Sequence, residues 1–184
     1  ELSGERPLIQ NLAIRMGDSQ TNIFEGVDPV WFLTVGQRQP PADKPPEHKW
    51  EVFFDNPYRR PHETFTSKLA INQARVTGSG QRATVSIGDL TVGPFKGSLE
   101  LSFYAGSRLM RLDAAIKTEQ DMLAVFYDCG LVANQPMWKE VAWVDTEGKA
   151  QKAGPVASAR PINVRHRGIV GAGDHGADAC FPAL

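Results

Sequence analysis

The segment Leu99-Glu100-Leu101-Ser102-Phe103, followed by Met110-Arg111-Leu112-Asp113-Ala114-Ala115-Ile116-Lys117, decides the fold class. Apolar residues occupy the odd positions of the first run and the even positions of the second, with Arg111, Asp113 and Lys117 on the opposite side. A period of two is the signature of a strand, because successive side chains on an extended chain point to opposite faces. Between the runs lies Ala105-Gly106-Ser107, whose glycine accepts the positive φ of a tight turn, so the two runs are expected to pair as a hairpin. Upstream, Ala83-Thr84-Val85-Ser86-Ile87 alternates in the same way and is punctuated by Gly88-Asp89 and by Gly93-Pro94-Phe95-Lys96-Gly97. Downstream, Met122 to Tyr127 is apolar on both sides, as expected of a strand covered on two faces. The stretch from Ala83 to Leu131 therefore reads as a β-meander.

Outward from the meander, Leu8 to Ile14, Trp31 to Val35, Trp50 to Phe54, Lys68 to Val76, Val141 to Val144 and Ile162 to Val170 carry strand composition. Leu69 and Ile71 fall on one face of their run, and Asp145-Thr146-Glu147-Gly148 is a hairpin-type turn. Gly36 to His48, with Pro40, Pro41, Pro45 and Pro46, is a surface loop, because proline donates no ladder hydrogen bond. Lys149 to Pro161 reads as a loop and Gly171 to Gly176 as a flexible link. No internal repeat or amphipathic helix stands out. Many short strands with turn signals about every ten residues indicate an all-β fold, an antiparallel β-sandwich with little or no helix.

The chain has 184 residues, a length that suits one β-sandwich domain. Its apolar fraction of 41% and charged fraction of 22% match an ordinary globular protein able to bury a core. No apolar run approaches the ~20 residues that span a bilayer, so no membrane partner is expected. The net charge of −1 argues against a nucleic-acid partner, which would need a cationic excess. Cys129 and Cys180 are compatible with one disulfide or with two thiols. The chain starts at Glu1 without an initiator methionine and stops at Phe181-Pro182-Ala183-Leu184, so a fragment or subunit of a larger protein is expected, with a partner chain or further domain outside it.

The densest chemistry lies between His48 and Glu63. A sugar site needs aromatic platforms for the apolar face of a pyranose, here Trp50 and Tyr58, and polar groups for hydroxyls and uronate carboxylates, here Asp55, Arg59, Arg60 and Glu63. His48, His62 and His175 are the candidate proton-transfer groups, since imidazole titrates near neutrality. For each the competing reading is a surface histidine or a polar loop held by its own hydrogen bonds. Asp174, His175 and Asp178 have the residue types of a metal site without an established ligand spacing, so no metal and no cofactor are assigned. Gly171-x-Gly173-x-x-Gly176 lacks the βαβ context of a dinucleotide site. No Gly-x-Ser-x-Gly elbow is present.

From Lys96 to Lys117, continuing to Phe126-Tyr127-Asp128, the chain resembles the galactose-mutarotase-like supersandwich domains of carbohydrate-active proteins, over about Trp50 to Val144. The resemblance implies a supersandwich-like fold, a secreted or periplasmic location and an oligo- or polysaccharide partner. It implies a carbohydrate-binding or polysaccharide-processing domain, a glycoside hydrolase or polysaccharide lyase if catalytic. The alternative is a non-catalytic sandwich packing on an enzyme domain or partner subunit. No catalytic residue of the family aligns with this chain, so the candidates above rest on residue chemistry alone.

Overall fold

A computed structural model describes residues 2, 4–38, 61–133, 135–136, 138–154 and 162–182. Among them there is no helix. Twelve strands occur in chain order: β1 Ile9–Met16, β2 Ser19–Gln37, β3 His62–Thr66, β4 Lys68–Ser79, β5 Arg82–Val92, β6 Phe95–Tyr104, β7 Met110–Lys117, β8 Leu123–Ala133, β9 Glu140–Val144, β10 Ala150–Ala153, β11 Ile169–Gly173 and β12 Gly176–Cys180. All the described ladder registers are antiparallel. The all-β, antiparallel architecture expected from the alternation is the one observed.

The chain forms two compact units, Pro29–Leu131 and Glu1–Asp28 with Val132–Leu184. In the first, β4-β5-β6-β7 is a meander whose hairpins join neighbours in sequence. The pairing Leu99↔Ala114, Leu101↔Leu112 and Phe103↔Met110 is the hairpin that the two alternating runs imply. β2 pairs with β3 and with β8 in another sheet. Leu33 and Val35 of β2, Phe65 of β3 and Leu123 and Val125 of β8 share one apolar cluster with Leu69, Leu90, Val92, Phe95, Ala114 and Ile116 of the meander. Two sheets packed through their inner faces in this way give a sandwich-like arrangement. Each fully buried leucine or isoleucine contributes roughly 1.5–3 kcal/mol to the core.

Gly88-Asp89 is no turn. β5 runs through it, and the register shift between Ile87 and Leu90 marks a bulge. The extra residue keeps both Ile87 and Leu90 facing inward, where they are 2% and 1% exposed. The amide side chain of Gln73 lies against Gly88, so a β-carbon there would require the end of that side chain to shift.

In the second unit, β1 pairs with the first part of β2, and β10-β9-β11-β12 form a four-stranded sheet. Leu8, Ile9, Phe24 and Val27 are buried, and Asp28 closes the entry to β1 by accepting from Leu8 N at 2.9 Å and pairing with Arg6 at 2.8 Å. The β9–β10 turn is held by Asp145, whose carboxylate accepts from the backbone of Glu147 and Lys149 and from Gln151 Nε2. These bonds, that of Lys149 first, hold its carboxyl below the ordinary value.

The segment expected to be a flexible link, residues 171–176, is a two-residue hairpin: Gly173 pairs with Gly176 and Gly171 with Asp178. Its glycines serve packing and not flexibility. The Trp138 indole lies over Gly171 and leaves no room for a β-carbon, and at Gly176 a β-carbon would require the end of the Ile23 side chain to shift. The strand expected over Ile162 to Val170 is confined to its last two residues, which begin β11.

Candidate functional site

Of the nine candidate site residues, His48, Trp50, Asp55, Tyr58, Arg59 and Arg60 lie outside the described residues. His62 and Glu63 are described, in a strand instead of a loop. They open β3, pairing with Gly36 and Val35, and are exposed. As neighbours on an extended chain they point to opposite faces, so they do not converge on one ligand. His175 occupies the exposed turn between β11 and β12 in the other unit.

Around that turn the carboxylates already have partners. Lys139 Nζ sits 2.5 Å from Asp174, and this hydrogen bond, helped by the lysine and His175 charges, lowers the Asp174 pKa. Asp178 accepts from Trp138 Nε1 at 2.6 Å, and its burial pushes the carboxyl above the ordinary value against that hydrogen bond. Among the described residues no group of three or more His, Cys, Asp or Glu is placed to hold a metal ion. Cys129 and Cys180 are both exposed and not joined in a disulfide, and partial burial with the nearby Asp128 charge raises the Cys129 thiol.

The described residues do converge elsewhere, on the solvent face of the meander. Its inner positions fill the core, so the intervening ones point outward and register aligns them in rows. Arg75, Ser86, Glu100 and Asp113 form one row; Thr77, Thr84, Ser102 and Arg111 the next; Ser79, Arg82 and Tyr104 a third. An open depression is lined by Arg82, Thr84, Glu100, Ser102, Tyr104, Arg111 and Asp113. At its floor, Thr84 Oγ1 and Ser102 Oγ are 3.0 Å apart. Ser102 is only 6% exposed despite its outward position, being flanked by longer side chains.

Arg111 Nε donates to Asp113, at 2.9 Å to Oδ1 and 2.8 Å to Oδ2. The hydrogen bond and charge of Asp113, then Tyr104 and Glu100, push the guanidinium further into its charged form. Glu100 faces Asp113 directly across the β6–β7 pair. Acceptors, donors and a phenol are thus displayed on a rigid sheet, where strands position them better than a loop would.

Sequence reading reached Arg111, Asp113 and Lys117 as a solvated strand face. It missed the site because alternation identifies a polar face on each strand but not which residues stand side by side. The unused signal was the run of polar positions in β6: Lys96, Ser98, Glu100, Ser102 and Tyr104.

Comparison with protein-family models, with curated proteins and with solved structures found no match to this chain.

Proposed function

We propose that this chain is a carbohydrate-binding or polysaccharide-processing β-sandwich domain of glycoside hydrolase or lyase type, working in a secreted or periplasmic setting. The observation that carries the reading is the open polar face over β5, β6 and β7. Saccharide hydroxyls both donate and accept, and this face offers both kinds of partner: Arg82 and Arg111 donate, Glu100 and Asp113 accept, and Thr84 and Ser102 do either. Tyr104 adds an aromatic body with a polar tip, suited to the apolar side of a sugar ring. The face is shallow and open, a shape that admits a segment of a long chain better than a small enclosed ligand.

The second reading, a sandwich that packs on an enzyme domain or partner subunit, is supported by Val76 and Phe103. They lie on the inner side of the meander yet are 70% and 38% exposed. A partner would cover them.

The test is glycan-array binding with turnover assays on neutral and acidic polysaccharides, run on the parent chain and on Tyr104→Ala with Arg111→Ala. Loss of two such contacts is expected to weaken binding at least ~10-fold, at about 1 kcal/mol for each lost hydrogen-bonding or stacking contact. A parent chain that binds no glycan, or a double variant that binds as the parent does, would falsify the assignment of this face.

A further inference from the structure

The solvent face of the meander has a second feature, its charge. Across its end, Lys68 pairs with Thr91, Thr91 with Lys96 and Lys96 with Lys117, so three lysines stand in one row over four strands. They point outward because their neighbours Leu69, Phe95 and Ile116 belong to the core. Farther along the same face lie Arg75, Arg82 and Arg111. Against these six cations the face carries the acids Glu100 and Asp113, with Asp89 at the bulge. A chain of net charge −1 has therefore segregated positive charge onto one sheet face.

Among the described residues, no ion pair engages Lys68, Arg75, Arg82 or Lys96; Arg111 is paired with Asp113, and the single pair of Lys117, with Glu119 at 3.9 Å, joins two highly exposed groups. From Lys96 to Ser102 along β6 is roughly 20 Å at the rise of an antiparallel strand. The lysine row and the pair Arg82 and Arg111 thus form two cationic zones, with Ser98 and the row Arg75–Ser86–Glu100–Asp113 between them.

We infer that this face binds an anionic polysaccharide, its uronate or sulfate groups held at the lysine row and at the arginines while intervening sugar hydroxyls meet Glu100 and Asp113. The inference rests on the glycan reading and narrows its substrate class. The central carboxylates favour a polysaccharide over a nucleic acid. A glycan residue carries hydroxyls beside its anionic group that can donate to Glu100 and Asp113, whereas a DNA backbone offers phosphates and no hydroxyls there. The face also carries one aromatic, Tyr104, where single-stranded nucleic acid stacks successive bases on several.

The test is equilibrium binding of the whole chain to dextran sulfate, polygalacturonate, their uncharged counterparts dextran and methyl-esterified polygalacturonate, polyglutamate and single-stranded DNA, at low and raised salt. The sulfate and carboxylate arms identify the anionic group. At least one anionic glycan is expected to bind tenfold or more tighter than its uncharged counterpart, with the difference shrinking as salt rises. The triple variant Lys68→Gln, Lys96→Gln, Lys117→Gln is expected to lose about tenfold for that glycan and nothing for the uncharged one. The control Lys149→Gln, Lys152→Gln is expected to bind as the parent, and thermal melts report that each variant is folded. Equal binding of charged and uncharged glycans overturns the inference and leaves the glycan reading standing. No glycan binding at all overturns both. Equal binding of polyglutamate or DNA, or an equal loss in the control, overturns the assignment of an anionic glycan to this face.

Discussion

Asp178 shows how one residue turns local geometry into a pH response. Burial raises its carboxyl above the unfolded value, and the Trp138 hydrogen bond offsets only part of that. The neutral form is thus favoured in the folded chain, and stability that is fully present below the ordinary carboxylate pKa is lost as pH rises through the raised one. Asp178→Asn keeps an acceptor for Trp138 Nε1 and removes the charge. It is expected to stabilise the protein at neutral pH by no more than ~1 kcal/mol, because the half-exposed site is screened by water. Thermal melts should show the gain at pH 7 and its disappearance in acid. An unchanged difference between the two pH values would mean that this carboxyl is not the titrating group. The sequence placed Asp178 among metal-type residues. Only folding sets it against an indole forty positions earlier.

At the scale of elements, the meander strands were legible because each carries its own period, while errors fell at glycines with two meanings, over Ile162 to Val170, where only the last two residues are strand, and in the loop expected over Lys149 to Pro161, where Ala150–Ala153 is β10. Residues 171–176 look like a link from composition and are a hairpin, since Gly171 makes room for the Trp138 ring. Gly97 in β6 has a comparable role: a β-carbon there would run into the Ala115 carbonyl of β7. The obstacle is backbone in the neighbouring strand, so no rotamer change relieves it, and Gly97→Ala should cost roughly 2–4 kcal/mol. Denaturant unfolding measures this, and a loss below ~0.5 kcal/mol would show that β6 and β7 separate easily.

At the scale of the molecule, the inner face of the meander and the facing strands β2, β3 and β8 share one core in which Leu90 is 1% exposed. Leu90→Ala removes a buried side chain where both sheets meet and should cost ~2–5 kcal/mol. Amide exchange should quicken on β5 and on β2 together; a change confined to β5 would show that the sheets do not stabilise each other. The alternation of Leu99 to Phe103 and Met110 to Lys117 was enough for strand, face and hairpin, because period two is a local property of an extended chain. Composition and turn residues were enough for an all-β fold. Neither could supply the rows Lys68–Thr91–Lys96–Lys117 or Thr77–Thr84–Ser102–Arg111, because register depends on where the bulge at Gly88-Asp89 falls and on which strands become neighbours. A functional face on a sheet is built from residues distant in sequence and adjacent only across hydrogen-bonded strands, so it came into view with the tertiary structure.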